Sequence, residues 1–535
     1  MTSSMSVRRA AVCVAVVVAA VVAGCTPSAV EGRSHGDIEA SPRSAPPGTN
    51  VSPPAPGPGA GPSACPAGGA GGGGAKVVVD RHRTAPVEAP NPRAGQGRAA
   101  PWKGRPVVRL CFDVPADRRL VRGTESVRFT PDRRTCEVDF RAWPNKPETA
   151  RTGNRLDVTA VAVRGRLVRP KVEAAGAPKG APGTLVKVPV QGCLMPGRPV
   201  TVELAFTLTL GEDSSERVGF SSEDRTAWFA TAYPLLAWER GHGWITDRAV
   251  DLLGETVTSE EFQLAELDVV APKGDEVLGT GQARGTMPAS RSGSIVHRFS
   301  AGAVRDVTVT VGQLQVVERT VGGVRVHVGV PASGSRRPVG EWVDATESAI
   351  TRLSSYLGPF PYPDLWVTVE PDIPSGIELP GAIQFADVNP RTYPQLVPHE
   401  VAHMWFYGLV GNNQARDPWL DEAFAEYAEV LVNGTARAEM RFRVPAAVRN
   451  RVGESMAWYD GLHQPGLYGA GVYRQGSAML HQARQAVGPA TFDRLLRGYI
   501  DTNAHKIADD NDVGRAFASA PKAIAIFQAH GALPK

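Results

Sequence analysis

The chain has 535 residues, of which 42% are hydrophobic, and it carries 58 basic and 54 acidic side chains. This length and apolar content allow two or three folded domains with substantial cores. The charges nearly balance, at a formal net charge of +4, which excludes the strongly basic surface typical of nucleic-acid binding. We therefore expect no nucleic acid among the partners of this protein.

The first 24 residues have the composition of a secretory signal. Arg8 and Arg9 precede an apolar run from Ala10 to Ala23, which is short for a membrane span. Val22-Ala-Gly-Cys25 resembles a bacterial lipobox, in which the cysteine is lipidated and becomes the first residue of the mature chain. We expect residues 1–24 to be a lipoprotein signal peptide and the protein to be anchored outside the cytoplasm, on the cell membrane, through Cys25. An ordinary signal-peptidase site and a retained anchor are the alternatives.

Residues 25–106 are expected to form a flexible tether. From Thr26 to about Ala75 the sequence consists mainly of Pro, Gly, Ala and Ser. Such a composition cannot bury a core, so the segment would space the folded part away from the membrane.

The remaining cysteines suggest two disulfides. Once Cys13 and Cys25 are set aside, four are left: Cys65, Cys111, Cys136 and Cys193. An even number in an exported chain is typical of disulfide bonding, and four cysteines allow three connectivities. We favour a bond between Cys111 and Cys136, because both lie in neighbouring segments that read as strands.

Residues 107–330 are expected to form an all-β domain. Apolar and polar side chains alternate in short runs such as Val107–Phe112, Thr201–Thr207 and Val307–Val311, with turn residues between them. A period of two is typical of half-buried strands. After Pro338 the apolar spacing becomes helical, with strands interspersed, so residues 331–535 are predicted to form an α+β domain.

One heptapeptide in this second region has the pattern of a metal site. In Val397-Pro-His-Glu-Val-Ala-His403, within a helix predicted over residues 393–408, His399 and His403 stand one turn apart and can reach one metal ion. Glu400 can point at a water on that metal, and Glu422, in the next predicted helix, can supply a third ligand. Two histidines and one glutamate leave a position open, which is typical of catalytic zinc. The alternative is a surface helix with two solvated histidines, which the apolar neighbours of the motif disfavour.

Two other polar residues have a functional and a plain interpretation. Glu378 precedes a probable strand, where its carboxylate could bind an ammonium group or simply be a solvated loop acid. Tyr473 begins a predicted helix, where its phenol could stabilise an oxyanion or merely pack in a half-buried position.

These segments resemble the M1 family of gluzincin metallo-aminopeptidases. The similar motifs are Ser375-Gly-Ile-Glu-Leu379, His399-Glu-Val-Ala-His403 with Glu422, Asp417-Pro-Trp-Leu-Asp-Glu-Ala-Phe424 and Tyr473-Arg-Gln-Gly476. The resemblance implies an α+β multidomain fold, in which a saddle-like all-β domain precedes a thermolysin-like α+β catalytic domain. It also implies that the large C-terminal helical domain of many relatives is absent.

The resemblance assigns a role to each motif residue. One Zn²⁺ ion would be bound by His399, His403 and Glu422, and Glu400 would act as the general base. Tyr473 would donate a hydrogen bond to the oxyanion. Glu378 would hold the free α-amino group of a peptide substrate, which makes the protein an aminopeptidase. We expect a monomer.

The sequence departs from the family pattern at several positions. Ile377 and Leu379 replace the usual Met and Asn, Ala423 replaces a common Gly, and Gln475 replaces a common Lys. No second amine-binding residue is evident in the β domain, where Glu239 is a weak candidate.

Two other interpretations and one further residue remain open. The same metal site could serve a thermolysin-type endopeptidase, or the chain could be a non-catalytic surface lipoprotein on a peptidase fold. Glu429 could hydrogen-bond a zinc-binding histidine or be an exposed helix acid.

Overall fold

The computed structural model describes residue 65 and residues 97–214, 216–252, 257 and 260–535. The predicted signal peptide, the lipidation site at Cys25 and most of the predicted tether lie outside the described residues and remain predictions. Within the described part of the chain, no helix is both long and apolar enough to cross a membrane.

The N-terminal part consists of short strands joined by turns, as its period-two alternation predicts. The strands are β1 Val107–Asp113, β2 Leu120–Phe129, β3 Thr135–Arg141, β4 Arg155–Val163, β5 Arg166–Val168, β6 Lys171–Glu173, β7 Leu185–Leu194, β8 Val200–Thr209, β9 Val218–Ser221, β10 Thr226–Ala230, β11 Leu235–Leu236, β12 Trp238–Glu239, β13 Gly243–Trp244, β14 Phe262–Pro272, β15 Glu276–Gly279, β16 Gln282–Pro288, β17 Ser294–Val304 and β18 Thr308–Gly312. One short helix, α1 Pro147–Arg151, lies among them.

These strands form one large sheet and three smaller ones. The large sheet has eight strands in the order β16-β17-β14-β1-β2-β8-β4-β5, and the two four-stranded sheets have the orders β15-β18-β10-β9 and β11-β3-β7-β6. In β2 every second residue from Val121 to Phe129 is buried, so one face of the large sheet packs on the core. The alternation of apolar and polar residues in the sequence therefore reflects the burial of one face of the sheet.

The C-terminal part combines a mixed sheet with helices. Its strands are β19 Leu314–Val321, β20 Val324–Pro331, β21 Asp364–Glu370, β22 Gly376–Leu379, β23 Ala382–Ala386, β24 Gly411–Asn412 and β25 Ile507–Ala508. Its helices are α2 Val339–Leu357, α3 Leu396–Ala402, α4 Trp419–Asn433, α5 Ala436–Glu439, α6 Met456–Asp460, α7 Gly466–Tyr468, α8 Gln475–Val487, α9 Pro489–Asn503, α10 Asp510–Ala516 and α11 Pro521–Ala529.

The mixed sheet has the order β19-β20-β21-β23-β22. Strand β21 lies at its centre, pairs in parallel with β20 and β23, and is buried at every residue. Strand β22 is the edge strand and pairs antiparallel with β23. A β-rich part followed by a mixed α+β part confirms the predicted fold class. The domain boundary placed between residues 330 and 331 remains a prediction, although β19 and β20 already pair within the second sheet.

The two disulfides differ from the pairing favoured on sequence. Cys65 bonds Cys111, and Cys136 bonds Cys193, so a Cys111–Cys136 bond is wrong. The physical reason is the topology: Cys111 lies on β1 in the eight-stranded sheet, whereas Cys136 lies on β3 in a different sheet. Cys65 packs with Cys111 in a small apolar cluster.

Candidate metal centre

Helix α3 places the two predicted histidines side by side. His399 lies in its last turn and His403 directly follows its end, where the backbone N–H of His403 donates to the carbonyl of His399 at 3.4 Å. The Nε2 atoms of the two rings are 3.2 Å apart. The helix ends at Ala402 rather than near residue 408, because the chain turns sharply through Tyr407, which has a φ of 92°.

Helix α4 brings the third predicted ligand to the histidines. Glu422 lies in the first turn of α4, and its Oε2 atom is 3.3 Å from Nε2 of His399 and 3.4 Å from Nε2 of His403. The helix begins at Trp419, so that Glu422 lies in its first turn.

The spacing of these three atoms fits one zinc ion. Zinc binds imidazole nitrogen and carboxylate oxygen at about 2.0–2.1 Å in a tetrahedron, so two ligand atoms should be about 3.3 Å apart. The three observed separations, 3.2, 3.3 and 3.4 Å, agree with this value. The donor set is therefore arranged for one zinc ion, with the fourth position left to water or substrate.

Electrostatics at these ligands show how strongly the site attracts positive charge. Burial alone raises the pKa of Glu422, but the neighbouring His403 and His399 outweigh burial and bring the pKa well below its usual range. Burial lowers the pKa of His403, whereas Glu378 and Glu422 together raise it to about 9. A divalent cation would satisfy the carboxylates in place of protons on the histidines.

Both zinc-facing histidines are oriented by a contact at their other ring nitrogen. Nδ1 of His399 is 3.2 Å from Oε2 of Glu426, and Nδ1 of His403 is 3.2 Å from the carbonyl oxygen of Phe406. Such contacts fix the ring and the tautomer of a metal-binding histidine. Glu429, the candidate named for this role from sequence, instead accepts a hydrogen bond from Asn433 at 2.6 Å.

Helical spacing in the sequence is a signal that could have indicated Glu426. Glu426 is one helical turn beyond Glu422, and Glu429 is two turns beyond it, so both share the face of the ligand. Only the residue one turn away is close enough to reach His399.

Glu400 lies beside the donor set and is 4% exposed. Burial raises its pKa to about 7, with His399 lowering it and Glu378 raising it further. The backbone of β22 passes so close that a Cβ atom at Gly376 would overlap the Glu400 carboxyl group. Glycine is therefore required where the edge strand meets this carboxylate.

Glu378 projects from β22 toward the same place. It is 5% exposed, and one of its ligand atoms lies within 4.8 Å of ligand atoms from Glu400 and His403. Burial raises the pKa of Glu378, while His403 lowers it and Glu422 raises it. The loop acid considered from sequence is thus a buried strand residue at the metal centre.

Tyr473 reaches the centre from a distorted helix. Residues Gly469–Arg474 form a π-helical turn between α7 and α8, and the ring of Tyr473 stacks on that of His399 at 5.8 Å between centroids. Burial raises the pKa of the phenol, as does the neighbouring Glu422, so it stays protonated. π-Turns are rare and often occur at functional sites, because they rotate one side chain out of the regular helical register.

Glu239, the weak candidate for a second amine-binding residue in the β domain, has other charged groups around it. Glu239 has Arg416, Glu260 and Asp417 as charged neighbours, and burial raises its pKa to about 7. The β-rich part instead brings Arg217 near Glu378, where its charge lowers the pKa of that carboxyl.

A β-rich part, a mixed α+β part and a centre of two histidines and one glutamate together define a zinc metallopeptidase architecture. Residues 383–528 match the model of the peptidase family M1 domain. The chain therefore carries an M1 peptidase domain, which confirms the family resemblance inferred from its motifs.

Solved structures share this fold. The M1 zinc metallopeptidase from Deinococcus radiodurans matches with a TM-score of 0.56 and 19% identity, over 80% of this chain and 94% of that one. A variant of that enzyme bound to a Tyr-Ser-Ala substrate matches with a TM-score of 0.56 and 18% identity, over 80% and 93% of the two chains.

Sequence relatives cover less of the chain. Aminopeptidase M1-A of Oryza sativa subsp. japonica is 25% identical over 235 residues, which are 39% of this chain and 27% of that protein. Membrane alanyl aminopeptidase of Heliothis virescens is 26% identical over 151 residues, which are 25% of this chain and 15% of that protein. The chain thus spans about a quarter or less of the length of these two relatives.

Proposed function

We propose that this protein is a zinc-dependent aminopeptidase that removes residues from the N-termini of peptides outside the cytoplasm. The observation that carries the proposal is the pair of buried carboxylates, Glu378 and Glu400, beside a donor set spaced for one zinc ion. The relatives named as aminopeptidases support the same reaction.

The general base of the proposed reaction is Glu400. His399, His403 and Glu422 would hold the zinc ion, which when bound would supply a Lewis acid for the peptide carbonyl and for water. Glu400 takes a proton from the attacking water and passes it to the leaving amine. Its Oε2 atom has no hydrogen-bond partner among the residues the structure describes, so it is free to accept this proton.

Tyr473 is the proposed donor to the developing oxyanion. Its phenol remains protonated because burial and the neighbouring Glu422 raise its pKa. Its ring is held by stacking on His399, so the donor is oriented before the substrate arrives. Pre-oriented donors of this kind typically contribute about 10²–10³-fold in kcat.

Glu378 is the proposed anchor for the substrate amine. Its Oε1 atom has no hydrogen-bond partner within the described part of the chain, although the residue is buried. When all three are ionised, Glu378, Glu400 and Glu422 carry three negative charges, of which one bound zinc ion would compensate two. The remaining charge suits the single positive charge of a peptide α-ammonium group, and an internal peptide bond offers no such charge.

The two competing functions predict different products. A peptide of about ten residues with mixed sequence can be incubated with the zinc-loaded protein and followed by mass spectrometry. We expect masses that decrease by one N-terminal residue at a time. Internal fragments would instead indicate a thermolysin-type endopeptidase, and an unchanged peptide would favour a non-catalytic lipoprotein.

We further propose that Cys25 is lipidated and that residues 25–106 hold the enzyme, as a monomer, at the outer face of the membrane. The lipobox-like sequence before Cys25 supports this location. Replacement Cys25→Ser should move the protein from the membrane fraction to the soluble fraction. A variant that stays with the membrane would contradict lipidation at this residue.

A further inference from the structure

The turn that carries Tyr473 is irregular at one carbonyl group. In a regular α-helix the backbone N–H of Gln475 would donate to the carbonyl of Gly471, four residues earlier. Here it donates to the carbonyls of Ala470 and Val472 instead, because this turn is π-helical. The backbone of Gln475 therefore passes over the carbonyl of Gly471.

The side chain of Gln475 supplies the donor that its backbone does not. Its Nε2 atom donates to the carbonyl of Gly471 at 3.2 Å and to the carbonyl of Val448 at 3.0 Å. Its Oε1 atom accepts from the backbone N–H of Asn450 at 2.7 Å. Gln475 is 1% exposed, so water does not compete for these three hydrogen bonds. One side chain thus joins the π turn to the segment that contains Val448 and Asn450.

The segment on the other side of these bonds is itself held in place. Val448 is buried in the core. A few residues further on, the backbone N–H of Val452 donates to the carbonyl of His530 at 3.2 Å, and that of Gly453 donates to the carbonyl of Gly531 at 3.1 Å. The segment is therefore a fixed support for the side chain that bonds to it.

The π turn determines where Tyr473 points. Tyr473 lies two residues before Gln475, and its ring stacks on that of His399. A π turn holds one more residue than an α-helical turn, so relaxation to a regular helix shifts the register by one residue, or about 100° around the axis. Such a shift would turn the phenol away from His399. The hydrogen bonds of Gln475 oppose this shift, because they join the π turn to a fixed support.

We propose that Gln475 is a positioning residue, which holds the π turn so that Tyr473 faces the metal centre. The effect on turnover rests on the proposed aminopeptidase function, in which Tyr473 donates to the oxyanion, whereas the hold on the turn does not. The lysine that is common here in the M1 pattern could donate to both carbonyls, but it could not accept from the N–H of Asn450. All three bonds therefore require the amide of Gln475.

A double-mutant cycle with fluorogenic aminoacyl amides tests this role. Gln475→Met keeps the length of the side chain and removes all three hydrogen bonds. We expect kcat to fall about ten- to hundredfold, with KM and zinc content unchanged, because the donor to the transition state is misdirected. In a Tyr473→Phe background the same replacement should cause no further loss, since Gln475 acts only through the phenol.

The matched control is Gln485→Met, because Gln485 is exposed on the same helix, and it should keep full activity. Full activity in Gln475→Met, or losses that multiply in the double variant, would overturn the proposal. If circular dichroism shows that Gln475→Met is unfolded, Gln475→Glu takes its place in the cycle. A carboxylate keeps the acceptor for the N–H of Asn450 but removes the donor.

Amide hydrogen exchange separates the hold on the turn from the reaction. In the full chain loaded with zinc, the peptide that spans residues 469–475 should exchange about tenfold faster in Gln475→Met than in Gln485→Met. Equal exchange rates would count against the proposal. Faster exchange in Gln475→Met, with no peptidase activity in the wild type, would support the hold on the turn and contradict only the proposed function.

Discussion

Four carboxylates surround the two histidines of the metal centre, and they come from three elements. Glu422, in α4, faces both Nε2 atoms, and Glu426, one turn later, contacts Nδ1 of His399. Glu400, on α3, and Glu378, on β22, each keep one oxygen without a partner among the described residues. Among the described residues, these two carboxylates are the groups proposed to engage the substrate.

The role of Glu400 predicts a change in turnover without a change in metal binding. Glu400→Gln keeps the size of the side chain and leaves the three ligands intact, but an amide cannot accept a proton. We expect kcat to fall about 10²–10⁴-fold, with zinc content unchanged by atomic emission spectrometry. Turnover close to the wild-type rate would rule out Glu400 as the base.

The role of Glu426 predicts a change in metal affinity. Glu426→Gln removes the negative charge 3.2 Å from Nδ1 of His399, so this imidazole becomes a poorer ligand. We expect the dissociation constant for zinc to rise about tenfold in competition with a chelator. Glu429→Gln, on the same helix, should change the dissociation constant less, because Glu429 bonds Asn433 and reaches His399 only through its charge. Equal effects of both replacements would argue against the contact.

The grouping of His399, His403 and Glu422 could be predicted from sequence, because helical spacing pairs the two histidines and Glu422 lies at the start of the next helix. His399 and His403 are one turn apart on any helix, and an acid at the start of the next helix can reach the same ion. The sequence could not show whether Glu426 or Glu429 contacts His399, because both lie on the same helical face as Glu422. The choice between them depends on the distance between α3 and α4, which tertiary packing determines.

Strand β22 and helix α3 approach each other closely at a single glycine. A Cβ atom at Gly376 would overlap the carboxyl group of Glu400, whereas one at Gly340, near the start of α2, would meet open space. The edge strand can therefore pass along the Glu400 carboxyl group in this position only where it lacks a side chain. The same strand presents Glu378 two residues later.

This approach predicts a loss of activity with little loss of stability. In Gly376→Ala the flexible Glu400 side chain would be displaced, because the added atom occupies the place of its carboxyl group. We expect kcat/KM to fall about tenfold to a hundredfold, while the thermal unfolding temperature changes little. Gly340→Ala is the control and should keep full activity. If Gly376→Ala were as active as this control, the displacement of Glu400 would have no effect on the reaction.

At the level of elements, the helices that carry His399 and Glu422 were predictable, but the distortions near the centre were not. The sequence placed Tyr473 at the start of a helix, whereas it lies in a π turn between α7 and α8. Helix α3 likewise ends at Ala402, before the turn that holds Tyr407 at a φ of 92°. The spacing of apolar residues indicates regular helices and strands. It does not indicate a π turn or a single tyrosine with a positive φ.

At the scale of the whole molecule, the free energy of unfolding should depend on pH through a buried acid that is distant in sequence from the metal centre. Asp139, on β3, is fully buried, and neither carboxyl oxygen has a hydrogen-bond partner within the described residues. Burial raises its pKa from 3.8 to about 7, and Glu137 adds to this effect. The folded state therefore holds this proton more tightly than the unfolded state does.

The sign of the effect follows from proton linkage. Between about pH 4 and pH 7 the folded state binds more protons at Asp139, so the free energy of unfolding decreases as the pH rises. Relative to Asp139→Asn, which cannot ionise, the wild type should lose about 2–4 kcal/mol between pH 4.5 and pH 8. Urea unfolding of both proteins at the two pH values measures this difference, and parallel pH profiles would show that Asp139 ionises freely.

The order of a β-rich part before an α+β part was predictable, because the apolar period changes from two to a helical period near Pro338. The pairing of Cys65 with Cys111 was not, since it depends on which sheet each strand joins. Strands β19 and β20 alternate like those before them, yet they pair with β21 in the second sheet. Strand alternation identifies a buried face but not the partner strand.

Hydrolysis of fluorogenic aminoacyl amides and of their N-acetylated counterparts tests the central claim most directly. Because Glu378 is proposed to bind the α-ammonium group, the zinc-loaded protein should cleave the free-amine compounds and leave the acetylated ones intact. Glu400→Gln should cleave neither set at more than a small fraction of the wild-type rate. Comparable cleavage of free and acetylated amides would contradict the aminopeptidase assignment, and wild-type rates in Glu400→Gln would contradict the proposed mechanism.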